Sequence, residues 1–124
     1  MGYDNDNIFA KILRHEIPND TVFEDETILA FNDIAPKTPV HILVIPKAAY
    51  VDLEDFTARA TALEIGSFFA RVGQIARDLG LPGDGYRLVS NNGENAGQLV
   101  PHFHVHIMGG QKIQKGSMAR GMQG

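Results

Sequence analysis

The spacing of apolar and polar positions changes several times along this chain, and each change predicts an element. "DNDNIFAKILRHEIP" opens with cap-type residues, carries Ile8, Phe9, Ile12 and Leu13 at helical spacing, and stops before Pro18. One short helix is predicted there. "TVFEDETILAFND" predicts two strands around a tight turn near Asp25 and Glu26, and "HILVIP" (41–46) a short apolar strand bounded by prolines. From about Thr57 to Leu79 the residues Ile65, Phe68, Phe69, Val72, Ile75, Ala76 and Leu79 keep a helical period, and Gly80 supplies the stop. That is the one long helix. Gly66 and Gly73 share a face of it, which points either to close backbone packing against a neighbour or to tolerated glycines. "GYRLVSNN" and "HFHVHIM" read as the last two strands. From Gln111 a Gly-rich polar tail is expected to be mobile.

The order is therefore helix, three strands, long helix, two strands, within a single domain over 1–124. One long helix cannot cover both faces of a five-stranded sheet. An α+β fold is expected, with an antiparallel sheet packed on the helix by one face and open on the other.

Composition narrows the function classes. The 124 residues, 44% of them hydrophobic, suffice for one compact core. No cysteine is present, so disulfides and thiolate metal sites are excluded and a reducing compartment is the default. No secretory signal or membrane-length apolar run is read, and Asp6 spoils a myristoylation match for the opening Met-Gly. The formal charge of -4 and scattered basic residues argue against gripping nucleic acid through its phosphates. A soluble cytoplasmic domain with, at most, a small local anion site is expected.

Such a site is suggested by "VPHFHVHIMGG". It holds three of the five histidines, His102, His104 and His106, in strict alternation. On a strand they share one face, while Phe103, Val105 and Ile107 share the other and belong on the long helix. The imidazoles would then lie on the open face. One metal ion cannot take all three, because the outer pair stand about 13.6 Å apart at Cβ and two imidazole arms span only about 11.4 Å. Two neighbours together with His41 remain an open metal alternative. A tetrahedral phosphorus suits the spacing better. Neutral imidazoles can divide the work, one attacking phosphorus while a neighbour supplies a proton. A P–N substrate matches that nucleophile, since the N–P intermediate is then similar in energy to the substrate.

"HFHVHIMGG" resembles the histidine-triad signature, in which three histidines alternate with apolar residues. "IFAKILRHEIP", "FNDIAPKTPVHILVIPK", "DLGLPGDGYRLVSNNG" and "GQLVPHFHVHIMGG" are similar to the Hint branch of that family, in order, over most of 8–110. The resemblance implies a HIT-like fold and a homodimer whose two sheets join. It also implies hydrolysis of adenosine or guanosine 5′-phosphoramidates, with no metal and no cofactor. His104 would be the nucleophile and His106 the acid at the phosphate or leaving group. His102 and His41 would orient His104.

For the nucleotide, the resemblance assigns the ribose to Asp33, with Ile34 beside it, and a carboxylate can accept both hydrogens of a cis-diol. Asp33 also reads as an ordinary turn residue. Ile8, Phe9, Ile12 and Phe31 would form the purine slot, though in any protein they would be read as core. Asn91 and the backbone N–H groups of Gly97 and Gln98 are expected donors to phosphate oxygens. His15 is expected to be exposed and uninvolved. Leu99 stands where many Hint proteins carry serine, and the tail does not resemble the animal proteins' aromatic-ended one. Two alternatives stay open: a dinucleoside polyphosphate hydrolase of the same superfamily, and a purine-nucleotide-binding or scaffold module with incidental catalysis.

Overall fold

The computed structural model describes residues 2–113. In chain order the elements are α1 (Ile8–Leu13), β1 (Thr21–Glu24), β2 (Ile28–Asn32), β3 (Val40–Pro46), α2 (Leu53–Arg59), α3 (Ala62–Asp78), β4 (Arg87–Val89) and β5 (Val105–Gly109). The five strands form one antiparallel sheet in the order β1-β2-β3-β5-β4. The tail predicted from Gln111 falls, beyond Ile113, outside the described residues. Among the described residues no helix is long and apolar enough to cross a membrane.

Local chemistry sets most of these boundaries. The Asn7 side chain caps α1 by accepting from Ala10 N at 2.9 Å. The β1–β2 turn closes where expected, because Asp25 Oδ1 accepts from the N–H groups of both Thr27 and Ile28 at 2.9 Å.

The single long helix over 57–79 is corrected to two. Ala60 is extended (φ -75°, ψ 156°), and Thr61 starts α3 afresh by accepting from Glu64 N at 3.1 Å. Asp52 does the same for α2 through Asp55 N at 2.8 Å. A Thr with an acidic residue three positions on is a helix-start signature, and here it lies inside the periodic run. Both helices serve one core. Phe56 of α2 and Phe68, Val72, Ile75 and Ala76 of α3 pack on Ile42, Val44, Val105 and Ile107 of the sheet. Close backbone contact at the two helix glycines is not found within this chain. A Cβ on Gly66 would meet nothing within 4 Å, and one on Gly73 only Arg77 Nη1 at 3.6 Å.

The opposite sheet face is not open, which is the second correction. Phe9 and Ile12 of α1 close over Leu29, Phe31, Leu43 and Ile45 as a smaller apolar cluster. The last strand also differs, for its ladder begins at Val105, paired with Val44, and not at His102. Pro46 closes β3 and has no N–H to continue the ladder. The segment before β5 bonds elsewhere, with Phe103 N donating to Tyr50 O (2.7 Å) and His102 N to Val100 O (2.8 Å). At its far end β5 stops where Gly110 adopts φ 86°. A Cβ there would lie 3.0 Å from Pro39 Cβ and 3.3 Å from Val40 N.

Thr61→Ala removes the cap that separates the two helices and is expected to cost about 1 kcal/mol. Gly110→Ala, strained by its dihedral angle and crowded, is expected to cost about 1–3 kcal/mol. Urea unfolding monitored by circular dichroism checks both.

Candidate active site

The apolar covering by α1 decides the chemistry of the histidines. His41, His102, His104 and His106 are all buried, the last three at 0%, 2% and 1% exposure. The alternation survives even though the segment 102–104 is outside the ladder. Phe103, Val105 and Ile107 enter the core under α3. His104 meets Phe9 edge-on at 4.9 Å between centroids and lies 5.2 Å from His106. The face expected to be exposed is thus buried and packed against an aromatic ring.

Hydrogen bonds fix the tautomer of each imidazole in turn. His104 Nδ1 lies 2.6 Å from the carbonyl of its neighbour His102. A carbonyl only accepts, so Nδ1 carries the proton and Nε2 presents a lone pair. His41 Nδ1 accepts from the backbone N–H of Lys37 at 3.0 Å, so its proton is on Nε2. That Nε2–H donates to His106 Nδ1 at 2.9 Å, which leaves the His106 proton on Nε2. Both Nε2 atoms of the pair His104 and His106 are buried without a hydrogen bond in the fold. A lone pair and an N–H donor are therefore presented side by side.

His102 is held differently. Its Nε2–H donates to the carbonyl of Pro46 at 2.8 Å, and its Nδ1 accepts from the Tyr3 hydroxyl at 2.5 Å. Ser90 Oγ donates to the His104 carbonyl at 2.9 Å, fastening the root of the following loop to the triad. Tyr3, Ser90, the Pro46 carbonyl and the Lys37 N–H were not among the expected site groups. Only Pro46, bounding a predicted strand, gave a local hint in the sequence.

Burial also sets the charge state. It pushes His102 down to about 4, against a raising hydrogen bond to Pro46 and together with the His104 ring. His106 is pushed to about 3, first by burial and then by His104 and His41. His41 is lowered by burial, although Asp33 opposes this. The histidines with resolved shifts are thus neutral in the empty site at neutral pH.

The other expected residues are distributed unevenly. Asp33 uses Oδ1 to accept from Ala35 N at 2.8 Å, as a turn residue does, and holds Oδ2 3.5 Å from His41 Nε2. Asp33, His41 and His106 together bring ligand-type atoms within 4.8 Å of one another. Phe9, Ile12 and Phe31 are buried in the second apolar cluster, whereas Ile8 is half exposed and Ile34 is 100% exposed. Asn91 follows Ser90 in the loop rooted beside His104.

The backbone N–H groups expected as phosphate donors at 97 and 98 are bonded within their own loop. Gly97 N donates to Glu94 O at 3.0 Å and Gln98 N to Gly93 O at 3.1 Å, both within a 3-10 turn. The Gln98 side chain is equally occupied. It accepts from Gly93 N and donates to the carbonyls of Val51 and Val100. Leu99 stands 69% exposed in the same loop, and His15 is exposed.

Comparison with known proteins gives the family. The HIT domain family model matches residues 14–113, and the chain belongs to that family, in its Hint-like branch. An uncharacterized 13.2 kDa HIT-like protein of Azospirillum brasilense is 55% identical over 111 residues, covering 90% of this chain and 91% of that one. A purine nucleoside phosphoramidase of Escherichia coli K12 is 39% identical over 108 residues, covering 87% and 90%. A crystal structure of a HIT family hydrolase from Legionella pneumophila superposes with a TM-score of 0.82 at 39% identity, covering 90% of this chain and 98% of that one.

Stability should fall on mild acidification. His102 and His106 titrate at about 4 and 3 when folded, below the 6.5 of an unfolded histidine, so the unfolded chain binds more protons in between. The stabilisation is complete above about 6.5 and is lost as pH falls toward 4, on the order of 3 kcal/mol per histidine. Asp55, held down to about 2 by Arg59, contributes its loss only below the ordinary 3.8. Urea midpoints at pH 7 and pH 5 measure the histidine part, and equal midpoints would refute it.

Proposed function

We propose that this chain is a metal-independent purine nucleoside phosphoramidase, which cleaves the P–N bond of adenosine or guanosine 5′-phosphoramidates in the cytoplasm. The observation that carries the reading is the bond from His104 Nδ1 to the His102 carbonyl, which puts the proton on Nδ1 and leaves Nε2 with the lone pair of a nucleophile. Beside it His106 offers an N–H, oriented by His41. In the first step Nε2 of His104 bonds to phosphorus and the P–N bond to the amine breaks. The departing nitrogen takes a proton through His106. In the second, water attacks phosphorus, gives a proton back to His106, and the P–Nε2 bond breaks to release the nucleoside monophosphate. A bound phosphate's negative charge favours the protonated form of His106, offsetting the burial that keeps it neutral when the site is empty.

The nucleotide-binding roles follow the same reading. Asp33 takes the ribose hydroxyls once its Oδ2 turns from His41, and the exposed Ile8 and Ile34 contact the purine along with the edges of Phe9, Ile12 and Phe31. Asn91, Gly97 and Gln98 hold the phosphate after the 3-10 turn opens. Two copies join through edge strand β4, where Leu88 is 45% exposed, and through the outer face of α3 with its exposed Phe69.

A second reading, metal-assisted hydrolysis, is favoured by one observation, the convergence of Asp33, His41 and His106. Hydrolysis of an adenosine 5′-phosphoramidate in excess EDTA separates the two. Turnover is expected in EDTA, and activity only after zinc is restored would overturn the histidine scheme. Trapped wild-type protein should carry a nucleotidyl group on His104 by mass spectrometry. His104→Ala should lose at least about a thousandfold in kcat yet keep AMP affinity within about threefold. For the dimer, Leu88→Glu is expected to yield a monomer by sedimentation, and a wild-type monomer would refute the interface.

A further inference from the structure

The carbonyl that orients His104 belongs to a segment with no strand partner, so something else must hold it. The N–H groups of His102 and Phe103 bond to the carbonyls of Val100 and Tyr50, and Ser90 Oγ donates to the His104 carbonyl. At His102 itself the segment is also anchored by the side chain, which is 0% exposed and reaches the carbonyl of Pro46. The Pro46 carbonyl already fixes the His102 proton on Nε2, but an imidazole bonded at one nitrogen can still tilt and rotate. Bonded at both, it has one orientation. The second bond comes from Tyr3, 99 residues away in sequence, whose ring also meets His102 edge-on at 5.6 Å between centroids. Tyr3 is half buried, and burial raises its hydroxyl above the ordinary 10, so it remains a donor at neutral pH.

We propose that Tyr3 is a positioning residue, acting through His102. By donating to His102 Nδ1 it locks that ring onto Pro46 and steadies the His102 carbonyl that holds the His104 nucleophile. The N-terminal segment ahead of α1 is then part of the site's support, although nothing in it touches the reacting atoms. This inference rests on the phosphoramidase reading for its kinetic consequence, but its structural part is read without turnover.

The test compares wild type, Tyr3→Phe and Tyr3→Leu. Nitrogen-15 NMR of the imidazoles in the free protein should show His102 Nδ1 moving, in Tyr3→Phe, toward the position of a lone pair with no hydrogen bond. The His104 Nδ1 proton should exchange faster with solvent. In single-turnover assays with an adenosine 5′-phosphoramidate, nucleotidylation of His104 should slow about tenfold or more, with AMP affinity within about twofold. Tyr3→Leu should be at least as impaired. An unmoved His102 resonance, or an unchanged His104 proton, would overturn the inference whether or not the protein turns over this substrate. So would a moved resonance with nucleotidylation within twofold of wild type in an active protein. Impairment in Tyr3→Leu alone would assign the effect to ring packing and equally refute the hydroxyl's role. An inactive wild type would count against the phosphoramidase reading, leaving the NMR comparison to decide the role of Tyr3.

Discussion

The 2.6 Å bond from His104 Nδ1 to the carbonyl of His102 is the contact on which the site's chemistry depends. An imidazole has two nitrogens, and only the one without a proton can attack. Giving Nδ1 an acceptor that can never donate removes the choice. The acceptor is main chain, so its position follows from the path of the backbone just before β5. That path is set in turn by Pro46, two residues past Val44, whose pair with Val105 is the last of the β3–β5 ladder. On that side the carbonyl of Pro46 is an acceptor for His102, and the amide of Phe103 finds Tyr50. A single imino acid thus converts a strand end into a support for an imidazole.

The two apolar clusters divide the labour between stability and reactivity. The larger, under α2 and α3, fixes Phe103, Val105 and Ile107 and so dictates which way the intervening histidines face. The smaller, under α1, contributes less buried apolar area but surrounds the imidazoles with hydrocarbon. Its effect is electrostatic. Removing water from the rings disfavours their charged forms, which keeps an empty site supplied with lone pairs at any pH near neutrality.

Much of the fold was legible in short-range pattern. The turn at Asp25, the apolar strand ending at Pro46 and the alternation of Phe103, Val105 and Ile107 with the histidines are all encoded within a few residues. The errors have physical causes. The helix over 57–79 kept its period across Ala60 and Thr61 because both segments bury residues in the same core, so periodicity alone ran past the break; the Thr61 and Glu64 pair was the missed sign. The covering of the histidine face by α1 was invisible because its residues lie far from β5 in sequence. Phe9 could be read as apolar and helical, but no local rule says which sheet face it covers. Tyr3 is the extreme case, an aromatic residue in a polar lead-in segment whose partner is His102. At Gly97 and Gln98 the sequence did not show the bonds their amides make within the loop. A glycine-containing turn suggests free N–H groups, yet turns satisfy their own amides first.

That last point bears on how the site receives an anion. His41, His102 and His106 are neutral near neutral pH, and the loop over 93–98 bonds its own amides, in a chain whose formal charge is -4. Under the proposed reaction, a phosphate beside His106 brings the negative charge that offsets the burial keeping that ring neutral. The Lys37 N–H fixes the tautomer of His41, and His41 fixes that of His106. His106 can accept a second proton only at Nδ1, where His41 already donates, so protonation there requires the pair to break or to share its hydrogen. That coupling ties the protonation of His106 to the His41 and Asp33 contact, and so to whatever occupies Asp33.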